Sequence, residues 1–227
     1  MVQNCAFFTE LLNREFIMRQ HLLSYDAIFW DFDGVIKDSV EAKTTAYVSL
    51  FDNMDVELLA RVKLHHRKNG GVSRYEKIPL YLAWAGYQVT QNLVDLYCEK
   101  FSKKVVQQVI NSPWVNGVRE FILDSHECKN FFLITATPYE EIKTILSILG
   151  LEHCFVEIHG APIKKYQVVD EVMRRWSLDC ESTAFVGDSS SDYEAAVKNN
   201  LNFVLRSTTL NQNLQKLHKG LSFESLI

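Results

Sequence analysis

The sequence lacks an excess of basic charge: 24 Lys and Arg stand against 28 Asp and Glu, for a net charge of −4. Without a broad positive field, nucleic acid is not expected as a partner, and any anionic ligand must be held by local cations. No stretch approaches the roughly 18 consecutive apolar residues of a membrane span, so no membrane partner is expected either. Glu10, Arg14, Glu15 and Arg19 interrupt the apolar residues near the start. They exclude a signal-peptide core and leave an amphipathic leader helix over residues 1–26. Cysteines are few and unpaired: Cys5, Cys98, Cys128, Cys154 and Cys180 are odd in number and scattered, with no metal-type spacing. They read as reduced thiols of a cytoplasmic protein. The seven histidines show no ligand pattern. His65 and His66 are adjacent, so on a helix they diverge, and a solvated or hinge position is expected rather than zinc ligation.

With 227 residues, 47% hydrophobic, the chain is long enough to bury a substantial core. Its organising stretch runs from Ala27 to Ser39. The apolar run Ala27-Ile28-Phe29-Trp30, bounded by Gly34, reads as a short buried strand that stops where the first carboxylate appears. A strand buried on both faces belongs to a parallel sheet covered by helices, and such sheets bind ligands beyond the carboxyl ends of their strands. Asp31 stands at that end. Asp31 and Asp33 share a strand face and repel unless a cation or proton lies between them. As turn residues after a strand, the same three positions would need no further role.

From Val40 to about Asn111 the periodicity is helical, over Val40–Phe51, Val56–His65, Ser73–Ala85 and Thr90–Ile110, with no convincing strand. That is too long for one crossover between strands, so residues 40–112 are expected to form a helical cap inserted into an α/β core of 27–39 and 113–227. Strands and helices then alternate: helix 118–125, strand 131–135, helix 138–149, strand 155–158, helix 166–176, strand 184–186, helix 191–198, strand 202–205 and a helical tail from Asn211. Repeated units of this kind predict a Rossmann-like parallel sheet with helices on both faces.

Three further strand ends carry polar groups. Thr135 offers a hydroxyl, and the backbone N–H groups from Ala136 onward lead into a helix, a natural anion site in which Thr137 would cap the helix and Pro138 would open it. Gly160 to Lys165 delivers lysines to the next helix start; Lys165 lies on the core side and Lys164 toward solvent. Gly187-Asp188-Ser189-Ser190-Ser191-Asp192 adds two carboxylates, of which Asp192 would serve equally as a helix cap. Clustered carboxylates without His or Cys suit a hard cation held by oxygen, above all Mg²⁺.

Taken together, Asp31-Phe32-Asp33-Gly34-Val35, the strand ending at Thr135, Gly160-x-Pro162-x-x-Lys165 and Gly187-Asp188-x-x-x-Asp192 resemble, in order, the four motifs of haloacid dehalogenase-superfamily phosphohydrolases. The resemblance spans about residues 27–225 and is to the phosphoglycolate phosphatase and β-phosphoglucomutase-like members with a helical cap. It implies a Mg²⁺-dependent phosphatase acting on a small phosphorylated metabolite, a sugar phosphate or a phosphoglycolate-like acid, through an aspartyl phosphate. Asp31 is then the implied nucleophile and Asp33 the acid and base. Asp31, the backbone carbonyl of Asp33, and Asp188 are implied to bind Mg²⁺ with Asp192 in support, while Thr135, Ala136 and Lys165 hold the transferring phosphate. Asp33 argues against dehalogenation, because a leaving alkoxide needs a proton and a halide does not.

In the cap, Gly70-Gly71-Val72-Ser73-Arg74 resembles the specificity stretch of β-phosphoglucomutase, which makes Gly71, Ser73 and Arg74 candidates for contact with the rest of the substrate. The alternatives are a mutase, disfavoured by Gly187-Asp188 where mutases have Glu-Asp, and an inactive scaffold or regulatory protein that keeps the fold. Tyr75, Lys77, Tyr81, Trp84 and Tyr87 of the cap are candidates to line a sugar-sized cavity, although aromatics at helical spacing read more as core. A monomer or dimer is expected.

Overall fold

The computed structural model describes residues 15–227. The first part of the leader-helix expectation, residues 1–14, lies outside them. Residues 15–24 are helical (α1), and Met18 and Leu22 are buried against the main core. After α1, β1 covers Ala27–Trp30 and is followed by four helices, α2 (Val40–Val48), α3 (Val56–Lys68), α4 (Arg74–Trp84) and α5 (Gln91–Asn111). The chain then alternates: α6 (Val118–Ser125), β2 (Asn130–Pro138), α7 (Tyr139–Leu149), a short 3-10 turn (Glu152–Cys154), β3 (Glu157–Ala161), α8 (Lys165–Arg175), β4 (Thr183–Gly187), α9 (Ser190–Lys198), β5 (Asn202–Arg206), α10 (Gln212–Leu217) and β6 (Ser222–Phe223).

The six strands form one parallel sheet in the order β3-β2-β1-β4-β5-β6. The side-chain alternation of a strand divides its burial between two layers. Ile28 and Trp30 of β1 join Phe131, Leu133, Ala184 and Val186 on the face covered by α6 and α7. Ala27 and Phe29 join Phe132, Ile134, Phe185 and Phe203 on the face covered by α8 and α9. With both faces dry, β1 reads as an unbroken apolar run rather than as an alternating one.

Several boundaries differ from the sequence reading, and the tail expected to be helical from Asn211 also forms the edge strand β6, which pairs with β5. β2 continues through Thr137 to Pro138, with a register shift against β3 between Ile134 and Pro138. The N-cap of α7 is therefore Pro138, and Thr137, expected to cap the helix, has its hydroxyl elsewhere. β3 starts at Glu157, because Phe155 packs into the core before the strand begins. His66, expected to be solvated or at a hinge, is 2% exposed and lies under the ring of Tyr47. Tyr81 is fully buried and Trp84 and Tyr87 pack on the same cluster, so these aromatics are core, whereas Tyr75 is exposed.

The helical insert joins the sheet layer through two connectors that run side by side. Asp38 N–H donates to the Pro113 carbonyl (2.8 Å) and Val115 N–H to that of Ile36 (3.0 Å). Between them the buried Lys37 ammonium donates to the Ile110 carbonyl at 3.0 Å and lies 4.1 Å from the centre of the Trp114 ring.

Candidate active site

The site is built where β1, β2 and β4 end. Asp31 follows the last residue of β1; its N–H donates to the Val186 carbonyl of β4 at 3.0 Å, which fixes the residue against the neighbouring strand. Its Oδ1 accepts from the Phe32 N–H (2.8 Å) and from the Lys165 ammonium (2.7 Å). Oδ2 is left free of both. Gly34 then turns the chain at φ +81°, and a Cβ there would stand 2.1 Å from Oδ2 of Asp188. Only glycine both tolerates that angle and lets Asp188 approach.

Asp192 is fully buried at the third position of α9. Its Oδ2 accepts from the N–H groups of Asp188 (3.2 Å) and Ser189 (3.0 Å) and from the Ser189 hydroxyl (2.6 Å), and its Oδ1 from Lys165 (2.6 Å). The helix-capping and site roles are thus combined in one carboxylate, with Ser189 as the cap residue of a capping box. Lys165, at the first position of α8, bridges Asp31 and Asp192 from within the protein. Lys164 instead reaches out to Glu76 of α4 at 2.8 Å. The two lysines separate as their positions on the helix require.

Carboxylate oxygens of Asp31, Asp188 and Asp192 lie within 4.8 Å of one another. Burial, then the charge of Asp192, pushes the Asp31 carboxyl up to about 7 against the pull of Lys165. Burial and the charges of Asp31 and Asp192 push Asp188 well above the usual carboxylate range. Close oxygen donors whose negative charges crowd one another form a set suited to a small hard dication.

The Asp33 carboxylate is turned away from this group. Its Oδ1 accepts from the Ser39 hydroxyl (2.6 Å), and its Oδ2 from the Thr137 hydroxyl (3.1 Å) and the Lys43 ammonium. Lys43 also donates to Thr137 at 2.7 Å. Burial alone would raise the Asp33 carboxyl, but the charge of Lys43 and the bonds from Lys43, Ser39 and Thr137 hold it below its ordinary value. Ser39, Lys43 and Thr137 were missed by sequence reasoning. Lys43 carried a signal, being four residues after Ser39 and so on the same face of α2, toward the end of β1.

Thr135 is buried, its hydroxyl accepting from the Thr137 N–H at 3.2 Å, and Ala136 lines the small space between the sheet ends and the inserted helices. Gly71 meets the core directly: its carbonyl accepts from the Ser191 hydroxyl at 3.1 Å, and a Cβ would stand 2.1 Å from that oxygen. Ser73 caps α4, accepting from the Tyr75 N–H (3.3 Å). Arg74 is buried with its fork on Glu141 of α7 (2.5 and 2.8 Å) and on Ser102 of α5. In this closed arrangement Arg74 joins the insert to the core.

Next to Lys43, the ammonium of Lys77 is buried against Nδ1 of His66 (3.0 Å) and the Gly70 carbonyl (3.3 Å), with no carboxylate partner among the described residues. Nε2 of His66 has no hydrogen-bond partner. The space lined by Lys43, His66, Lys77 and Ala136 is nearly closed, about 10 Å³, while a side opening of about 100 Å³ runs past Gly71, Ser73, Thr135 and Lys165. On the other side Asp188, Glu41, Arg67 and Arg206 border an open cleft of about 930 Å³.

A family model for haloacid dehalogenase-like hydrolases matches residues 28–205, and the chain belongs to that family. No curated protein matches the sequence. Among solved structures the chain is similar to a predicted phosphoglycolate phosphatase from Haemophilus somnus, with a TM-score of 0.71 and 18% identity over 89% of this chain and 95% of that one. It is similar also to CbbY of Rhodobacter sphaeroides in complex with xylulose-(1,5)bisphosphate (0.71, 15% identity, 89% and 95%). A haloacid dehalogenase-like family hydrolase from Streptococcus pneumoniae follows at 0.64 and 14% identity, over 88% and 94%. At these identities the likeness is one of fold, and it extends over the inserted helices as well as the sheet.

Proposed function

We propose that the protein is a Mg²⁺-dependent phosphatase that removes phosphate from a small phosphorylated metabolite through an aspartyl phosphate on Asp31. The observation that carries this reading is Asp31 at the end of β1, with one oxygen held by Phe32 N–H and Lys165 and the other free, beside Asp188 and Asp192. A carboxylate fixed in this way presents a single oxygen to an incoming phosphorus, which is the positioning that phosphoryl transfer needs. Asp31, the backbone carbonyl of Asp33, and Asp188 would hold Mg²⁺, with Asp192 in support. The ion supplies charge neutralisation that lets these carboxylates and a phosphate share one site.

In the first half-reaction, the free oxygen of Asp31 bonds to phosphorus as the ester oxygen leaves with a proton from Asp33, whose carboxyl must first leave Lys43, Ser39 and Thr137 and take up that proton. In the second, Asp33 takes a proton from water, whose oxygen bonds to phosphorus and releases Asp31 and inorganic phosphate. Lys165 and the hydroxyl and N–H groups from Thr135 onward would take the non-bridging oxygens. The remainder of the substrate would lie under the inserted helices, where Lys77 and His66, buried without a carboxylate partner, form with the Asp33-bound Lys43 a wall that an acidic group would let take up protons. That wall favours a substrate with a second acidic group, such as a phospho-acid or a bisphosphate; the Rhodobacter relative holds a bisphosphate of this kind.

Phosphorus NMR with Mg²⁺ and a panel of sugar phosphates, bisphosphates and small phospho-acids tests the reading. Inorganic phosphate is expected from wild type and not from Asp31→Asn. An isomerised sugar phosphate in its place would assign a mutase, and equal release by Asp31→Asn would remove Asp31 from the reaction.

A further inference from the structure

At the other end of the sheet from the carboxylates, two turns meet. His126 follows α6 at the entry to β2, and His153 and Cys154 lie in the 3-10 turn between α7 and β3. One ligand atom from each of His126, His153 and Cys154 lies within 4.8 Å of the other two. We propose that these three side chains form a binding site for Zn²⁺ that is separate from the carboxylate site and whose remaining coordination position is open to solvent.

The geometry fits the ion. Sγ of Cys154 is 3.6 Å from Nε2 of His153. A tetrahedral centre with Zn–S near 2.3 Å and Zn–N near 2.05 Å separates those donors by about 3.6 Å. The rings of His126 and His153 stand edge to face, with centroids 5.1 Å apart at 85°. The ring of His126 is oriented by its own turn: Nδ1 lies 2.9 Å from the Leu123 carbonyl. A carbonyl only accepts, so Nδ1 carries the proton and Nε2 keeps the lone pair, the usual arrangement of a histidine prepared for a metal.

The donor set is also selective. One sulfur and two imidazole nitrogens suit a borderline-soft ion and not Mg²⁺, which the oxygen-only carboxylate site prefers. Cys154 is buried while His153 is exposed, so an ion can enter from the histidine side and reach the thiol. Burial raises the Cys154 thiol, so binding would release its proton as the Zn–S bond forms. No oxidation or reduction accompanies the step. Bound Zn²⁺ would tie the start of β2 to the start of β3, the edge strand of the sheet.

Cobalt substitution in the full chain tests the proposal in the presence of excess Mg²⁺. The expected result is a near-ultraviolet thiolate-to-cobalt charge-transfer band that Zn²⁺ displaces and that Cys154→Ser abolishes. Asp188→Asn should keep the band, because the carboxylate site contains no sulfur. His126→Ala leaves the buried thiol in place and should weaken binding at least ~10-fold. It remains informative if Cys154→Ser fails to fold. A folded wild type that gives no band, a band that survives Cys154→Ser, or unchanged affinity in His126→Ala would overturn the site.

Discussion

At the scale of single residues, two buried lysines behave in opposite ways because one has carboxylate partners and the other has none. Lys165 is held between Asp31 and Asp192, and their charges raise its pKa against the burial that would lower it. Removing it as Lys165→Met leaves two buried carboxylates uncompensated, which costs about 3–5 kcal/mol for a broken buried pair. Urea unfolding of the metal-free variant should show that loss, added Mg²⁺ should recover part of it, and phosphate release should fall by at least ~100-fold. Lys77 faces His66, Lys43 and more distantly Asp33 and Glu76, and burial followed by the charge of Lys43 drives its pKa well down. Below about pH 10.4 the folded chain therefore holds this proton less tightly than the unfolded chain, and burying the amine costs stability. Lys77→Met should raise stability at neutral pH by about 1 kcal/mol or more, measured by the same unfolding curves.

His66 adds a pH dependence of defined sign. Burial, then Lys77 and Lys43, with a smaller push from His65, depress its pKa well below 6.5. The unfolded chain takes up a proton below about pH 6.5 that the folded chain refuses, so stability is lost as pH falls through that value. As pH drops below about 6.5, His66→Gln should gain stability relative to wild type. A gap between the two proteins that stays constant from pH 7 to pH 5 would contradict the assignment.

At the scale of elements, the inserted helices meet the core layer through apolar packing of α5 on α7 and through polar contacts made mainly by residues 70–77 and Lys43. Gly71 meets Ser191, Arg74 meets Glu141, Glu76 meets Lys164, and Lys43 meets Asp33 and Thr137. A substrate must pass these contacts, so the paired connectors at Ile36–Ser39 and Ile110–Val115 are the natural hinge. Gly71→Val obstructs closure at one point without touching either core cluster, because its side chain would run into Ser189 and Ser191. Turnover is expected to fall at least ~10-fold with little change in the unfolding midpoint. Hydrogen exchange over α4 should speed up in the same variant. Unchanged turnover would mean that the closed arrangement is not the reactive one.

At the scale of the whole molecule, much was legible in the sequence because the relevant forces are local. The apolar run at Ala27–Trp30 gives a buried strand wherever it is placed, and helical spacing over 40–111 gives helices wherever they pack. Asp31, Asp33, Asp188 and Lys165 could be picked out because each follows a strand in a repeated β-α pattern, whose topology brings strand ends to one side. What was not legible depends on which residues meet across long separations. Ser39, Lys43 and Thr137 converge on Asp33 from a helix and a strand 94 residues apart. His66 looked solvent-facing because its neighbour and its charge mask a buried position.

The sequence by itself determined most of the order of strands and helices, the run of helices after the first strand, and the placing of Asp31, Asp188 and Lys165 at strand ends, since periodicity and turn chemistry act over a few residues. Only the tertiary structure decided that Lys43 and Thr137 meet Asp33, that Arg74 is bound to Glu141, and that His126, His153 and Cys154 share one place. Each of these depends on distances between side chains far apart in the chain, and those distances come into being only when the sheet has assembled and its layers have packed.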